Sequence, residues 1–442
     1  EPRWKVDING KTVQSGSIQP LPIPPGGVHS MLVPFMRQVL PPGGEAHLMI
    51  EFVLREPTPW ADAGTVVAWE QFQLPWESPG LPAVDPSKLH ALNIEKADEE
   101  VVVIGEGFEL TFNHQTGSLE RWTANGQELL AAPLVPNLWR VPIDNDIASV
   151  VLFPWTRLVG RASQPWRGAA DKRKLIGFEV EQVDRGQVLI ATSWKVKHGR
   201  EPFTAIYRIF GNGDVIVAVR FSARREMVRL GMSFQIPGEY SRMQWFGRGP
   251  HENMWDRKQS AWVGLHSGEV EDIIHDYVRP QENGARTDVR WAKFTNQNGK
   301  GLLVSDVGGT LLSMNFWPYT QEDLAEATHI HELPRREELM VNIDYRQNGV
   351  GGDVPSGSQP HPEFRLKADT LYQYSFRMCP LLEPREDVIN YDWNVSVPQP
   401  APDTNQNKLR KRFGRGALIA AGIGLVIGMI AWFNRMQARK DQ

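Results

Sequence analysis

Cysteine is almost missing from this chain of 442 residues, in which Cys379 is the single example. One thiol excludes an intrachain disulfide and any metal site built from several cysteines. An excess of positive charge is missing too, because 48 Lys and Arg stand against 52 Asp and Glu, a formal net charge of -4. No basic run is interleaved with aromatic side chains in the body of the chain. We therefore expect no nucleic-acid partner.

An initiating methionine and an apolar leader are also missing, since the chain opens at Glu1 and its first apolar stretch alternates like a strand. We expect a fragment or a processed product. The hydrophobic content of 41% is sufficient for the cores of two or three domains. The 39 Gly, 33 Pro and 16 Trp favour many short strands and turns over long helices.

Apolar residues alternate with period two through the first 80 residues, as in HLMIEFVLRE at 47–56, between clusters such as PLPIPPGG. This pattern predicts a small immunoglobulin-like β-sandwich over residues 1–80. A proline-containing linker follows at 81–92. Beyond it, FTAIYRIF and VIVAVRF flank a GNGD turn, which predicts a hairpin inside a large all-β domain of two packed sheets over 93–380. One helix is predicted from Thr320, with Asp323 at the capping-box position.

Two blocks hold the least generic residues of the chain, GRGPHENMWDR at 247–257 and YVRPQENGARTDVRW at 277–291. Each combines charges of both signs with flat aromatic side chains. Aromatic faces beside hydrogen-bonding charges suit a sugar ring, which stacks through its CH face while its hydroxyls bond outward. A structural ion-pair network that pins two loops to a sheet fits the same composition. Both interpretations remain open from the residues alone.

In this order the two blocks resemble the C-terminal region of the β-galactosidases of glycoside hydrolase family 2. VPIDNDI at 141–147 and GVGGD at 349–353 extend the similarity. The resemblance implies a last immunoglobulin-like domain followed by the small-chain domain, a galactose-mutarotase-like β-supersandwich. It further implies the C-terminal portion of an enzyme that hydrolyses terminal β-D-galactosides in carbohydrate metabolism.

Catalytic residues are not expected in this segment. A retaining glycosidase needs two carboxyl groups roughly 5–5.5 Å apart, and the chain lacks the strand–helix alternation of a barrel. The resemblance places the catalytic glutamates, with Mg2+ and Na+, in an upstream barrel. We expect no cofactor here and no hydrolysis by the segment alone. The expected partners are a β-galactoside, the upstream barrel domain or large subunit, and further subunits in a homo-oligomer or heterodimer.

The candidate substrate-binding residues lie in two loops. Asp144, Asn145 and Asp146 form the IDND motif, for which a sugar-site or domain-contact loop, an Asx-stabilised turn and a cation site are all considered. Asp353 and Ser356 belong to the loop GVGGDVPSGSQPHPEF. The resemblance implies a tryptophan platform near Ser356, whose stacking contribution of about 1 kcal/mol is absent here.

Two further functions are considered. One is a membrane-tethered, non-catalytic carbohydrate-binding protein. The other is an aldose-epimerase-like enzyme, for which His329 or His275 with Glu252 are the available pairs. His329 and His331 also suggest a metal, but no third ligand is evident and we assign no metal site.

The C-terminal residues 416–433 are 18 consecutive uncharged positions, close to the roughly 20 that span a bilayer. A proline-rich and basic linker at 381–415 precedes them. More basic charge lies on the body side, which favours a cytoplasmic body. We therefore expect a single-pass transmembrane helix and a membrane location.

Overall fold

Antiparallel β-sheets dominate the computed structural model, which describes residues 1–146, 164–353, 359–385, 388 and 391–393. The strands predicted from alternating apolar residues are present. Residues Glu1–Val395 form one compact unit.

A small four-stranded sheet is formed first, with strand order β2-β1-β3-β4. Its strands are β1 (Pro2–Ile8), β2 (Lys11–Ser17), β3 (Ala46–Val53) and β4 (Val66–Leu74). The buried side chains of Trp4, Val6 and Leu48 make its apolar face, and Val33 and Phe35 pack against them. The layer over this face is therefore the proline-rich segment between β2 and β3, which has no strand of its own.

Two large sheets follow and make up the main body. One has ten strands in the order β18-β21-β22-β15-β10-β8-β7-β6-β5, with β9 beside β8, and the other has nine in the order β11-β12-β13-β14-β23-β20-β19-β16-β17. The strands are β5 (Asn93–Lys96), β6 (Glu100–Gly105), β7 (Phe108–Asn113), β8 (Leu119–Ala124), β9 (Gln127–Glu128), β10 (Ala132–Asn137), β11 (Lys174–Asp184), β12 (Gln187–Lys195), β13 (Phe203–Phe210), β14 (Val215–Ser222), β15 (Arg229–Pro237), β16 (Arg242–Gly249), β17 (Trp262–Glu269), β18 (Arg286–Val289), β19 (Trp291–Thr295), β20 (Gly301–Val307), β21 (Leu312–Trp317), β22 (Glu338–Gln347) and β23 (Leu371–Leu381).

The main core is one continuous cluster of buried apolar side chains drawn from both large sheets. Period-two alternation decides which residues enter it, because successive side chains of a strand point to opposite faces. In β12, Val188, Ile190, Thr192 and Trp194 are buried, while Leu189, Ala191 and Ser193 between them are only partly buried. Trp194 donates from Nε1 to the carbonyl of Thr116 across 2.7 Å, which satisfies its polar atom in the core. The prediction of an all-β fold with two packed sheets is confirmed.

Helices with described bounds are short. They are α1 (Val270–Ile273) and α2 (Gln321–Glu326), with 3-10 turns at Pro86–Lys88, Gln164–Trp166, Trp255–Ser260, Ile330–Glu332 and Pro362–Phe364. The helix predicted from Thr320 is α2. Thr320 caps it by accepting from the amide of Asp323, whose carboxylate accepts from the Thr320 amide in return. This local prediction is confirmed.

The expectation of a membrane location is corrected. Within the described ranges, no helix is long and apolar enough to cross a membrane. The physical reason is length, because the six residues of α2 extend about 9 Å, whereas a bilayer core is roughly 30 Å thick. The segment 416–433, on which the expectation of a transmembrane helix and a cytoplasmic body rested, lies outside the described residues.

The small sheet contacts the nine-stranded sheet through specific polar bonds. Gln71 accepts from the amide of Val263 at 2.8 Å and donates to its carbonyl at 2.7 Å. Because β17 is an edge strand of its sheet, these bonds occupy backbone groups that would otherwise lack a neighbouring strand. Arg290 donates to both carboxylate oxygens of Glu45, at 2.5 and 2.9 Å.

Candidate functional site

The two charged blocks lie side by side, joined by the buried amide of Asn253. Its Nδ2 donates to the carbonyls of Arg248 and His251. Its Oδ1 accepts from both the amide and the hydroxyl of Thr287 in the second block. A fully buried asparagine with all these bonds holds the two loops in one arrangement.

Glu252 also bonds to residues of both blocks. Its Oε1 accepts from Arg257 Nη2 at 2.5 Å and from the hydroxyl of Tyr277. Its Oε2 accepts from the amide of Gly284 at 2.6 Å. Burial, followed by the bond to Glu252, raises the pKa of Tyr277 to about 12. Tyr277 therefore acts as a neutral hydrogen-bond donor near neutral pH.

The IDND motif packs against the second block. Asp144 and Gln281 bond reciprocally, since the Asp144 amide donates to Gln281 Oε1 and Gln281 Nε2 donates to Asp144 Oδ2, both at 3.0 Å. Asp146 pairs with Arg140 at 3.0 Å and accepts from the Ile143 amide at 3.1 Å. The last bond reaches back to a backbone amide three residues earlier, as the acidic residue of a capping box does.

The GVGGD loop is held by the first block. Asp256 Oδ2 accepts from the amides of Val350 and Gly351, at 2.9 and 2.7 Å. Asn145 donates to the carbonyl of Val350 at 2.7 Å, so both candidate loops meet at this residue. Asp353 lies farther along, exposed to solvent, and accepts from His361 at 2.8 Å. This contact raises the pKa of His361.

These loops line an open cavity of about 370 Å³. Its walls are formed by twelve residues: Ile143, Asp144, Asn145, Glu252, Met254, Asp256, Arg257, Tyr277, Gln281, Glu282, Val350 and Gly351. Of the sequence-predicted site residues, Asp144 and Asn145 line the cavity, and Asp146 accepts from the amide of the wall residue Ile143. Asp353 is not among the wall residues. Ser356 lies outside the described residues.

A buried ionic group lies directly behind the cavity. Arg229 donates from Nε to Asp344 Oδ2 at 3.0 Å and from Nη2 to Glu282 Oε1, and none of the three side chains is exposed. Gln347 donates to both carboxylates. Burial raises the pKa of Glu282 and raises that of Asp344 to about 7. One arginine thus neutralises at most one of two carboxylates, and a proton on the other relieves the excess negative charge.

The histidines considered for other functions have their own partners. His329 contacts Glu332 at 3.1 Å and stacks on His331. His275 packs edge-on against Tyr277 with ring centroids 4.4 Å apart, and Tyr277 bonds to Glu252, so these contacts place His275 near Glu252. Within the described ranges, no group of three or more His, Cys, Asp or Glu side chains is arranged to hold a metal ion.

The family model described as "Beta galactosidase small chain" matches residues 104–378, and the model "Beta-galactosidase, domain 4" matches residues 1–75. This chain belongs to the β-galactosidase small-chain family. The resemblance inferred from the two charged blocks is therefore confirmed. The two matches cover the small sheet and the large sheets from the end of β6 into β23.

Curated β-galactosidases are similar over much of the chain. The β-galactosidase of Priestia megaterium is 31% identical over 385 residues, which cover 86% of this chain and 36% of the relative. The enzyme named β-galactosidase 2 of Enterobacter cloacae is 30% identical over 391 residues, covering 85% and 36%. This chain thus spans about a third of the length of the β-galactosidases it matches.

Solved structures similar to this β-galactosidase-family chain include galactose 1-epimerase from Lactobacillus acidophilus NCFM. It has 7% identity and a TM-score of 0.40, covering 67% of this chain and 100% of the other. A galactose mutarotase-like protein from Lactobacillus casei ATCC 334 has 10% identity and a TM-score of 0.35, covering 65% and 99%.

Several cavity residues were missed by the prediction of the site. Glu252, Asp256 and Gln281 lie in the charged blocks. The contacts of Gln281 with the IDND motif and of Asp256 with the GVGGD loop join residues far apart in the chain. The sequence indicated these residues as candidates only through their position inside the charged blocks. No spacing rule indicates which of the many carboxylates in those blocks line a common cavity.

Proposed function

We propose that this chain is the C-terminal portion of a β-galactosidase that hydrolyses terminal β-D-galactosides, with its catalytic glutamates in a barrel outside the chain. The main support is that the model of the β-galactosidase small chain matches residues 104–378, while the chain spans only 36% of the Priestia megaterium enzyme. The Mg2+ and Na+ of the full enzyme then belong to that barrel. We also propose assembly with the barrel as one polypeptide, or as a heterodimer, within a larger oligomer.

In this proposal the two candidate loops face the galactoside site of the barrel. Asp144, Asn145 and Asp146 on one loop, and Asp353 on the other, supply polar groups beside the sugar. The contact of Asn145 with the carbonyl of Val350 supports a shared position for the two loops. Ser356, which takes the place of the tryptophan platform, lies beyond the described residues.

A structural role for Glu252 supports this division of labour. Its carboxylate already accepts from Arg257, Tyr277 and the amide of Gly284. These donors occupy both of its carboxylate oxygens, whereas the acid/base of a retaining glycosidase must reach the leaving group of the substrate. Glu252 therefore suits the anchoring of loops better than proton transfer.

The limits of the domains remain those predicted from the sequence. We assign 1–80 to the immunoglobulin-like sandwich, 81–92 to a linker and 93–380 to the galactose-mutarotase-like supersandwich. The small sheet over β1–β4 would then be one layer of the sandwich domain.

A chimera tests the proposed function. The part of the Priestia megaterium β-galactosidase that aligns with this chain is replaced by this chain, and hydrolysis of p-nitrophenyl β-D-galactoside is measured. We expect the chimera to hydrolyse the substrate, while this chain alone and the truncated relative alone do not. Hydrolysis by this chain alone, or a folded chimera without activity, would contradict the proposal.

A further inference from the structure

The segment between β2 and β3 has the side-chain pattern of a strand but no neighbouring strand. From Met31 to Met36 its residues alternate between partly buried and exposed positions, as successive side chains of a β-strand do. Val33 and Phe35 pack on the apolar face of the small sheet, and the ring centroids of Phe35 and Trp4 are 6.4 Å apart. The described part of the chain nevertheless places no strand beside residues 31–36.

Only part of the backbone of this segment has hydrogen-bond partners. The side chain of Gln14 in β2 takes the place of a strand at Met36, because it donates to the Met36 carbonyl at 2.7 Å and accepts from the Met36 amide at 2.9 Å. The amides of Met31, Leu32 and Val33 donate to no group in the described part of the chain. Free backbone donors along an extended segment are a template for pairing with another strand.

Four apolar side chains on and around this segment face solvent. Val28, Leu32, Met36 and Val39 are 71–95% exposed. Arg37 is the single Lys, Arg, Asp or Glu residue in the sequence 28–39. Proteins protect a strand edge that stays in water with charged side chains, especially lysine. An apolar and unpaired edge therefore indicates a surface that another part of the protein covers.

The architecture of the small domain indicates what covers this surface. The immunoglobulin-like sandwich predicted for residues 1–80 has two sheets, whereas residues 1–75 form one sheet, in the order β2-β1-β3-β4. The chain spans only 36% of the Priestia megaterium β-galactosidase, so the longer enzyme has further chain from which strands can form. A second copy of this chain fits less well, because its own segment contains Pro34, which has no amide to pair.

We propose that a β-strand from the part of the β-galactosidase outside this chain pairs with residues 31–36 and builds the second sheet of the sandwich. The same part of the enzyme covers Leu32 and Met36. This pairing rests on the proposed function, because the partner is the remainder of that enzyme. Main-chain bonds to the added strand satisfy the free amides, and the alternation of side chains sets its register.

Hydrogen exchange in the chimera described above tests the pairing. The chimera, which joins this chain to the remainder of the Priestia megaterium enzyme, is compared with this chain alone. We expect at least one of the amides of Met31, Leu32 and Val33 to exchange about tenfold more slowly in the chimera, because a bond to a neighbouring strand must open before exchange. Equal exchange at all three amides in a folded chimera would overturn the proposal.

Leu32→Lys tests whether the partner covers this side chain. In the chain alone, Leu32 is 94% exposed, so the substitution should leave the fold unchanged. In the chimera it buries a charge, and exchange at the Val33 amide should return to within about twofold of that in the chain alone. Ile176→Lys changes a residue of β11 that is 56% exposed and should keep the slow exchange. The same exchange in both lysine variants would contradict burial of Leu32.

The pairing and the proposed hydrolysis can fail separately. Slow exchange in a folded chimera without hydrolysis supports the pairing and contradicts the proposed function, whereas hydrolysis with fast exchange does the reverse. If the chimera does not fold, a synthetic peptide is added in excess to this chain. The peptide comprises the roughly 20 residues that precede the aligned part of the Priestia megaterium enzyme, enough for two strands and a turn. Slower exchange at residues 31–33 then supports the pairing, and unchanged exchange overturns it.

Discussion

Arg229 and Asp344 form an ion pair of 3.0 Å between adjacent strands, β15 and β22, and neither side chain is exposed to solvent. Glu282 completes the group from the second charged block. Removing charges from water is costly, so such a group depends on its arginine being present. The bond between Arg229 and Glu282 thus links the sheet to the loops of the cavity.

Replacing Arg229 should therefore destabilise the fold strongly. Arg229→Met leaves two carboxylates buried without their cation, and we expect a loss of about 3–5 kcal/mol in the free energy of unfolding. Urea denaturation measures it. Arg200→Met is the control, because the Arg200–Asp369 pair is 51% and 56% exposed and should contribute at most about 1 kcal/mol. Equal losses in the two variants would contradict this account of the buried group.

Asp344 should make stability depend on pH. Burial raises its pKa from 3.8 to about 7 in the folded chain, so the folded state keeps a proton that the unfolded state has already released. The stabilisation that Asp344 provides by keeping this proton is fully present below about pH 4 and is lost as pH rises through about 7. Its total size is on the order of a few kcal/mol.

Asp344→Asn tests this pH dependence because an amide does not titrate. Urea denaturation at several pH values between about 4 and 8 should show a flatter stability profile than the unmodified chain has. Asp369→Asn, which changes an exposed carboxylate, should keep the original slope. Identical slopes in Asp344→Asn and the unmodified chain would show that Asp344 does not hold the proton.

Gln71→Ala should loosen the small sheet from the main body. The substitution removes both bonds to the backbone of Val263, leaving edge-strand groups of β17 without partners at a cost of about 1–3 kcal/mol. Hydrogen exchange at the Val263 amide should become faster. Gln73→Ala in the same strand removes only a 3.4 Å contact with Glu45 and should change little. Unchanged protection of Val263 in Gln71→Ala would refute the predicted role.

Gly10→Ala and Gly26→Ala separate backbone strain from crowding. Both glycines have a positive φ, +79° at Gly10 and +73° at Gly26. A Cβ added at Gly10 would lie 2.7 Å from the amide nitrogen of Leu265, whereas a Cβ added at Gly26 would have no neighbouring atom within 4 Å. We expect Gly26→Ala to cost roughly 1 kcal/mol and Gly10→Ala roughly 2–4 kcal/mol. Thermal and urea denaturation give both values. A loss at Gly26 as large as at Gly10 would show that the close approach to β17 contributes nothing.

Local patterns in the chain predicted local structure well. The hairpin around GNGD appears as β13 and β14, paired in the expected antiparallel register from Thr204 to Ile209. The capping box of Thr320 and Asp323 is present as predicted. Both predictions depend on residues within about twenty positions of each other, where alternation and side-chain bonds to the backbone act directly.

The candidate site was predictable only in part. The two charged blocks and the IDND and GVGGD motifs were identified, and the structure brings Asp144 and Asn145 to one cavity. The buried group was not foreseen, because Arg229 and Asp344 are 115 residues apart. A charge in a sequence carries no information about which distant charge will face it.

The amino-acid sequence by itself determined the all-β architecture, the family and the loops that carry polar residues, because alternation and motif order are written along the chain. Only the tertiary structure decided which carboxylates share a cavity, which of them keep an unpaired oxygen, and which arginine they surround. The reason is the order of strands in the sheets. That order results from packing the whole core at once, and it sets the neighbours of every buried polar group.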